Sequence, residues 1–498
     1  MITVENLAGL YSLTSATIPN PNAGQPNEPA TIPNPFVLSD GDMVYVKGYG
    51  TKNDGGGGFF IFDASSTLDP VYRLIASPSP VNLAEHYKIG NNPNYDGMIC
   101  KSENNTTGRW IREWDRGALN LRWFGGMPGD IGNASKALNA ALEYAQFDPL
   151  SNGTIFNDVH YTRPGKTIFI PAGRYYFRSI ITTITFGVVI QGEGNIGTSA
   201  NGTRLLIAHR YEDLGIDQII GNNGFGFLRF YSNEAHSSGG GIKDLTFDVI
   251  DLNPPADADA NYVEKGFDAN IVSLISTGSV PPNGIDLPAV AKWKAENIVM
   301  GLGANAKRAI YMKSNQQSGG TLPWRIRDIA LINCWFAGAS IEGETVRAEN
   351  VSGLHIIGGF FSSGLGLVHP TDPNLPPLRV KPGIVLTGIH GCSNTHLSNV
   401  DLSHGIIKIW KTSNLVNIDC RFGRLLIYNG ADKNHKALHV TKRFILNKRT
   451  DLSQEQLCPL NIDNNTVTDY KCYNNAHEIE CDTDADWMHN QACPNTSV

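Results

Sequence analysis

The sequence predicts an all-β protein whose main body is a parallel β-solenoid, and three observations carry that reading. The first is an internal repeat between residues 325 and 430. RIRDIALINCWFAGASIEG, AENVSGLHIIGGFFSSGLGLVH, CSNTHLSNVDLSHGIIKIWKT and TSNLVNIDCRFGRLLIYNG share one plan. Each opens with a polar pair ending in Asp328, Asn350, Asn394 or Asn414, followed by short apolar strands broken by a small or polar residue. The markers are 22, 44 and 20 residues apart, a unit of about 20–25 residues with one insertion. The same spacing is present earlier, in AENIVMGLGANAKRAIYM (295–312). Leucine-rich repeats have a similar period but need a fixed Leu/Asn consensus, which is absent. The second observation is composition: 17% charged residues and 52 glycines in 498 disfavour long charged helices and coiled coils. The third is that only one stretch reads convincingly as a helix.

Taken in order, residues 1–35 repeat Pro and Asn and read as an extended, irregular lead-in. From Met43, MVYVKGYG and GGFFIFDAS flank a Gly-rich turn and predict a hairpin. GRWIREWD (108–115) adds a further β unit, so the first domain, 1–117, is a lead-in and a small N-terminal β head. The run Gly55–Gly58 has no Lys-Ser/Thr and no helix after it, which excludes a P-loop and leaves a tight turn. The helix is 134–146, with Ala134, Leu138, Ala141, Leu142 and Ala145 on one face and Asn133 at its N-cap. It is placed to cap the first coil of a solenoid spanning 118–432, whose open end would otherwise template aggregation. Residues 433–498 form a Cys-rich C-terminal segment that closes the other end.

That last segment is polarised. Residues 433–450 hold six bases and no acids, while 451–498 hold nine acids against Lys471, leaving the other 450 residues about neutral in a chain of net charge −7. Mutual contact and two separately solvated surfaces are both open readings. Overall acidity argues against nucleic acid as a partner, and no apolar run is long enough to span a membrane. No secretory signal is visible at the start. Cys100 stands alone, and Cys334, Cys392 and Cys420, inside apolar strand-like stretches, read as buried free thiols. Cys458, Cys472, Cys481 and Cys493 crowd a segment too polar to build a core, which predicts disulfides and an extracellular setting.

The opening ALNLRWFGGMPGD (118–130), the helix, KTIFIPAGRYYF (166–177) and VVIQGEG (188–194) resemble the start of the pectate-lyase-like right-handed parallel β-helix superfamily. NDGGGGFFIFD (53–63) and GRWIRE (108–113) resemble the head that precedes it in phage tailspikes and related polysaccharide-degrading proteins. The chain departs from that pattern after the FGA-like segment, where GGMPGDIGNASKA replaces Gly-Asp-Gly and its following Thr-Asp-Asp. The paired acids are missing, and Asp130 is left with a capping role. The resemblance implies a right-handed β-helix, a homotrimer, an extracellular or virion-associated location and a polysaccharide depolymerase acting on a bacterial surface glycan. Hydrolysis by carboxylates is the leading chemistry. β-Elimination on a uronate and non-catalytic binding by a tail fibre or adhesin are the alternatives.

Site candidates follow from the repeats. Asp401 and Asp419 each precede a glycine, Gly405 or Gly423, by four residues, so alignment on the glycines stacks the two carboxylates about 5 Å apart, as a retaining glycosidase requires. Asn333 and Asn399 nearby offer the alternative of a polar ladder in a coil turn. Glu342 and Glu344 alternate on one strand face, directed to solvent with Arg347 close by, and either can pair with Asp372 in the insertion 369–383. A lyase would draw a base from His404, His369 or His355 and a stabilising cation from Arg379, Arg421 or Lys381. His404, Arg421 and Arg347 serve equally as substrate contacts. Among the tryptophans, Trp293 and Trp324 sit in polar or loop contexts and are expected to be exposed for sugar stacking, whereas Trp335 follows an apolar strand and fits a core. GIHGC (388–392) and NIDC (417–420) only approximate polygalacturonase signatures, in reversed order, and carry no roles. No metal site or cofactor is expected. Asp482, Asp484 and Asp486 resemble half a Ca²⁺ loop, which leaves room for a structural Ca²⁺ alone.

Overall fold

The computed structural model describes residues 2–14, 17–20, 25, 29–34, 37–74, 88–130, 134–147, 166–177, 180, 182, 184, 187–194, 202–207, 226–232, 237–249, 267–276, 290–301, 306–314, 326–337, 344–362, 382–387, 392–410, 414–428 and 478–481. It divides into two compact units, one of residues 1–158 with 166–182 and the other of 159–165 with 183–498.

In the first unit, Ile2–Val4, Met43–Val46, Gly58–Asp63, Asn105–Arg112 and Ile99–Ser102 form a five-stranded sheet in that spatial order. The predicted hairpin is present, with Met43 opposite Ile61 and Val44 opposite Phe60. Asp54 fastens its turn by accepting from the amides of Tyr49, Gly50, Thr51 and Gly56. The lead-in is more ordered than its Pro/Asn content suggests. Ile2–Val4 pairs parallel with Met43–Val46, and Leu7–Tyr11 is a short helix that buries Leu7 and Leu10 among Val44, Phe60, Phe62 and Trp110. Elements of three and five residues are too short to show a period, and the Asn6 cap on the Gly9 amide supplies what periodicity could not. The predicted helix spans Ala134–Phe147 and buries Leu138, Ala141, Leu142 and Tyr144; its expected N-cap, Asn133, lies outside the described residues.

The second unit is a parallel β-helix, as predicted. Lys294, Ala330, His355, His396 and Asn417 share one register position on successive coils, so the coils advance by 36, 25, 41 and 21 residues. Each coil has three strand faces. The first runs through Gly226–Ser232, Phe267–Ser276, Ala306–Ser314, Val346–Glu349 and Pro382–Thr387. The second holds the segments around Lys294, Ala330, His355 and His396, and the third those around Val299, Trp335 and Phe360.

The corners explain the sequence pattern. Lys292, Asp328, Gly353 and Asn394 form a column of left-handed residues, with φ of 55°, 55°, 69° and 51°. Asp244, Asn297, Asn333, Gly358 and Asn399 form a second, with φ of 54°, 53°, 50°, 64° and 54°. Asn, Asp and Gly tolerate this region best, which is why they mark the repeat. Each such residue adds one outward position. In the coil 326–336 the buried residues are Ile326, Ile329, Leu331, Cys334 and Phe336, with a three-residue step wherever a corner intervenes. The inward phase therefore survives each bend. Asp328 and Asn394 sit at this corner as the repeat predicts, and Asn333 and Asn399 are turn residues. Asn350 does not belong with them: Gly353 is the residue level with Asp328, and Asn350 instead donates its amide to the Ser314 carbonyl, 3.1 Å away. Two kinds of corner share one residue type, so the sequence merged them.

Cys100, Cys334 and Cys392 are buried free thiols, and burial pushes the latter two up to about 12. Glu478–Cys481 pairs parallel with Arg424–Ile427 and adds one more strand to the first face. The basic stretch 433–450, the remaining tail cysteines and the tail's acid-rich half-loop lie outside the described residues.

Candidate functional site

Three groups of candidate side chains stand on the three faces of the β-helix. The third face carries a column in which Val299, Trp335, Phe360, Asp401 and Arg421 occupy one register position on successive coils. Trp335 is 49% exposed, and its ring meets that of Phe360 edge-on at 6.1 Å. Asp401 follows on the next coil, its amide donating to the Gly359 carbonyl at 2.9 Å. A half-exposed aromatic pair beside a carboxylate matches the apolar faces and hydroxyl groups of a sugar chain.

This placement corrects three expectations. Trp293 is 1% exposed and packs edge-on against Phe230 at 5.3 Å, so it is core. Trp335, expected in the core, is exposed instead. The cause is the corner residue: Lys292 shifts Trp293 inward and Asn333 shifts Trp335 outward. Counting Asn333 as a corner would have placed Trp335 outward, but Lys292 carries no Asn or Asp signal that would have placed Trp293 inward. Asp401 and Asp419 do not stack either. Asp401 is level with Arg421, and Asp419 is level with Ser398. The strand 393–410 shifts register between Ser398 and Asp401 and again between Leu402 and Ile406, so the four-residue count back from Gly405 and Gly423, which directly precede the level pair Ile406 and Arg424, does not bring Asp401 to Asp419. Trp324, Glu342, Asp372, His369, Arg379 and Lys381 lie outside the described residues; His404 falls within the second register shift.

The first face carries a charged cluster built on Glu344. Arg308 Nε donates to one of its carboxylate oxygens at 2.7 Å and Arg347 Nη1 to the other at 2.9 Å. Arg347 Nε donates to Glu349 at 2.6 Å, and Arg308 Nη1 reaches Asn270 at 3.4 Å. Arg308 also lies 5.1 Å over the ring of Tyr311. Arg347 is close to Glu344, as the sequence suggests, but Glu344 is not solvated: its side chain is 14% exposed. Burial pushes its carboxyl up, yet the charges and hydrogen bonds of Arg308 and Arg347 outweigh burial and leave it below the ordinary range. A carboxyl held ionised cannot serve as a general acid near neutrality. Burial and the Glu349 charge push Tyr311 up, so its hydroxyl keeps its proton. Arg308, Tyr311 and Glu349 were missed: Arg308 and Tyr311 share one strand and Glu349 ends the strand paired with it, 36 residues beyond Lys313, so only the coil register brings them together.

On the second face, His355 and His396 are level and stacked, with ring centroids 5.1 Å apart and an interplanar angle of 6°. His396 Nε2 lies 3.0 Å from Asn394 Oδ1. Burial, then the neighbouring His396, lowers His355, with Asp328 opposing. Among the described residues, no three His, Cys, Asp or Glu side chains are grouped to hold a metal ion.

No family model and no curated protein matches the chain. Among solved structures, it is similar to a tailspike from Acinetobacter baumannii bacteriophage Fri1, described as a capsular polysaccharide depolymerase, at 12% identity and TM-score 0.46, covering 88% of this chain and 62% of that one. The tailspike of Acinetobacter phage vB_ApiP_P1 gives 12% identity and TM-score 0.39, with 88% and 63% covered. Pantoea stewartii WceF, a glycan biofilm modifying enzyme with a tailspike-like parallel β-helix, gives 13% and 0.36, with 91% and 48% covered. The chain thus spans less than two thirds of the length of each.

Proposed function

We propose that this chain is a polysaccharide depolymerase that holds a bacterial surface glycan along its third face and cleaves it by hydrolysis. The observation that carries the proposal is the outward column Trp335–Phe360–Asp401, which places two partly exposed rings and an acid in line on consecutive coils. Strands of neighbouring coils lie about 4.8 Å apart, so a column along the stack offers a linear polymer successive contacts. Asp401 and Asp419 remain the proposed catalytic carboxylates, now two register positions out of step rather than stacked, and Arg421 the substrate contact beside Asp401. A side-by-side homotrimer and a virion-associated location belong to the same reading and draw on the tailspike resemblance in residues 53–63, 108–113, 118–130, 166–177 and 188–194.

The test is incubation with a panel of capsular and O-antigen polysaccharides, followed by mass spectrometry of the products. Hydrolysis adds one water to each cleaved linkage. Asp401→Asn is expected to abolish cleavage while binding persists. Unsaturated products would replace hydrolysis with β-elimination, and a glycan that binds without being cut would make the chain an adhesin.

A further inference from the structure

The third face accounts for aromatic stacking, but it leaves unexplained the paired imidazoles around the corner. His355 and His396 stand at one register position, nearly parallel and in contact, both partly exposed. Their surroundings are small and polar. Ala330 is level with them one coil before, and Ser352 and Ser393 pair with each other on the same strands. Ile357, 43% exposed, and Ser398 flank the pair on the side of the corner marked by Gly358 and Asn399. The stack faces outward rather than into the core, on strands that also carry Ser352 and Ser393.

We propose that His355 and His396 form a proton-gated contact for a carboxylate-bearing sugar, so that the glycan taken by this chain is acidic. The proposal rests on the glycan reading above and specifies its substrate class. Two neutral imidazoles stack without penalty. Adding a proton to each sets two like charges about 5 Å apart, and an anion laid across them relieves that repulsion. Binding of the carboxylate and uptake of protons are therefore linked, and each strengthens the other. The contact with Asn394 Oδ1 orients the His396 ring and is retained when the ring is protonated, because Nε2 is then a donor.

The charged groups on the neighbouring strands are mixed. Asp328 and Arg327 lie on the coil before His355, and Lys294 and Glu296 on the coil before that, with Lys294 in the same register column. On the coil after, Asn417 is level with the pair and Asp419 is two positions on. Asp328 favours protonation of His355, whereas burial and His396 oppose it.

The test uses the full chain with two probes, an oligogalacturonate and its methyl ester, which share shape and differ in charge. Isothermal titration at pH 5.5 and 7.5 is expected to show the oligogalacturonate binding at least tenfold more tightly at the lower pH, with proton uptake on binding, and the ester unaffected by pH. His355→Gln and His396→Gln should each remove the pH dependence, and both variants should keep the wild-type circular dichroism spectrum. Equal affinity at both pH values, or unchanged pH dependence in both variants, overturns the proposal. Tight binding of the ester with none of the acid overturns it while leaving the glycan reading standing. Binding of neither overturns it as well, and the polysaccharide panel then decides the glycan reading separately.

Discussion

The charged cluster of the first face and the aromatic column of the third are built on the same coils, yet they use polar groups in opposite ways. Around Glu344 the charges of Arg308, Arg347 and Glu349 are each matched by a partner within 3 Å and largely covered, and the Glu344 carboxylate carries two guanidinium groups. Along Trp335–Phe360–Asp401 the Trp335 ring is half-exposed and that of Phe360 partly buried. A satisfied, covered ion network has little left with which to bind a ligand. A half-exposed ring has hydrophobic surface still to bury. The density of charge, the usual sign of an active site, points here to the part of the β-helix that holds neighbouring coils in register.

The largest expected effect follows directly. Glu344→Ala leaves Arg308 and Arg347 without their shared carboxylate in a covered site, and should cost about 3–5 kcal/mol of stability. Denaturant or thermal melts would measure it, and glycan affinity in the surviving folded fraction should not change. A loss of affinity without a loss of stability would reverse the roles assigned to the two faces.

Acid should separate the faces as well. Because Glu344 is lowered in the folded state, its stabilising contribution is present above the ordinary carboxylate range and is lost as pH falls through the lowered folded value. Acid unfolding monitored by circular dichroism should therefore shift to higher pH in Arg308→Gln, where one of the two groups that lower Glu344 is gone. An unshifted acid transition would show that the network does not govern it.

The smallest effect on stability, and the one most informative about function, is expected from Trp335→Ala. Removal of a half-exposed ring should cost about 1 kcal/mol or less in stability but weaken glycan binding about tenfold, near 1.4 kcal/mol. Surface plasmon resonance on an immobilised substrate glycan reads the second quantity. Unchanged affinity would remove the column from the binding surface.

Much of this was legible before any coordinate. The head hairpin, the helix 134–147 and the parallel solenoid each leave a local signature: a period of two, a period of 3.6, and a repeat of short strands marked by Asp and Asn. Those signals arise from backbone sterics and side-chain alternation within a few residues, so they survive in a linear string. The free thiols Cys334 and Cys392 were equally clear, because each sits in an apolar strand-like run.

Which side chains share a surface was decided only by the tertiary structure. One left-handed residue at a corner adds one outward position, and that alone put Trp293 in the core and Trp335 at the surface. Two register shifts in the strand 393–410 set Asp401 level with Arg421 instead of Asp419. Coils advancing by 21 to 41 residues brought His355 to His396 and Arg308 to Glu344. The chain specifies strands through local chemistry, whereas register is settled by which inward residues pack on the next coil. Because strand faces alternate with every residue, a single position of offset exchanges core for surface.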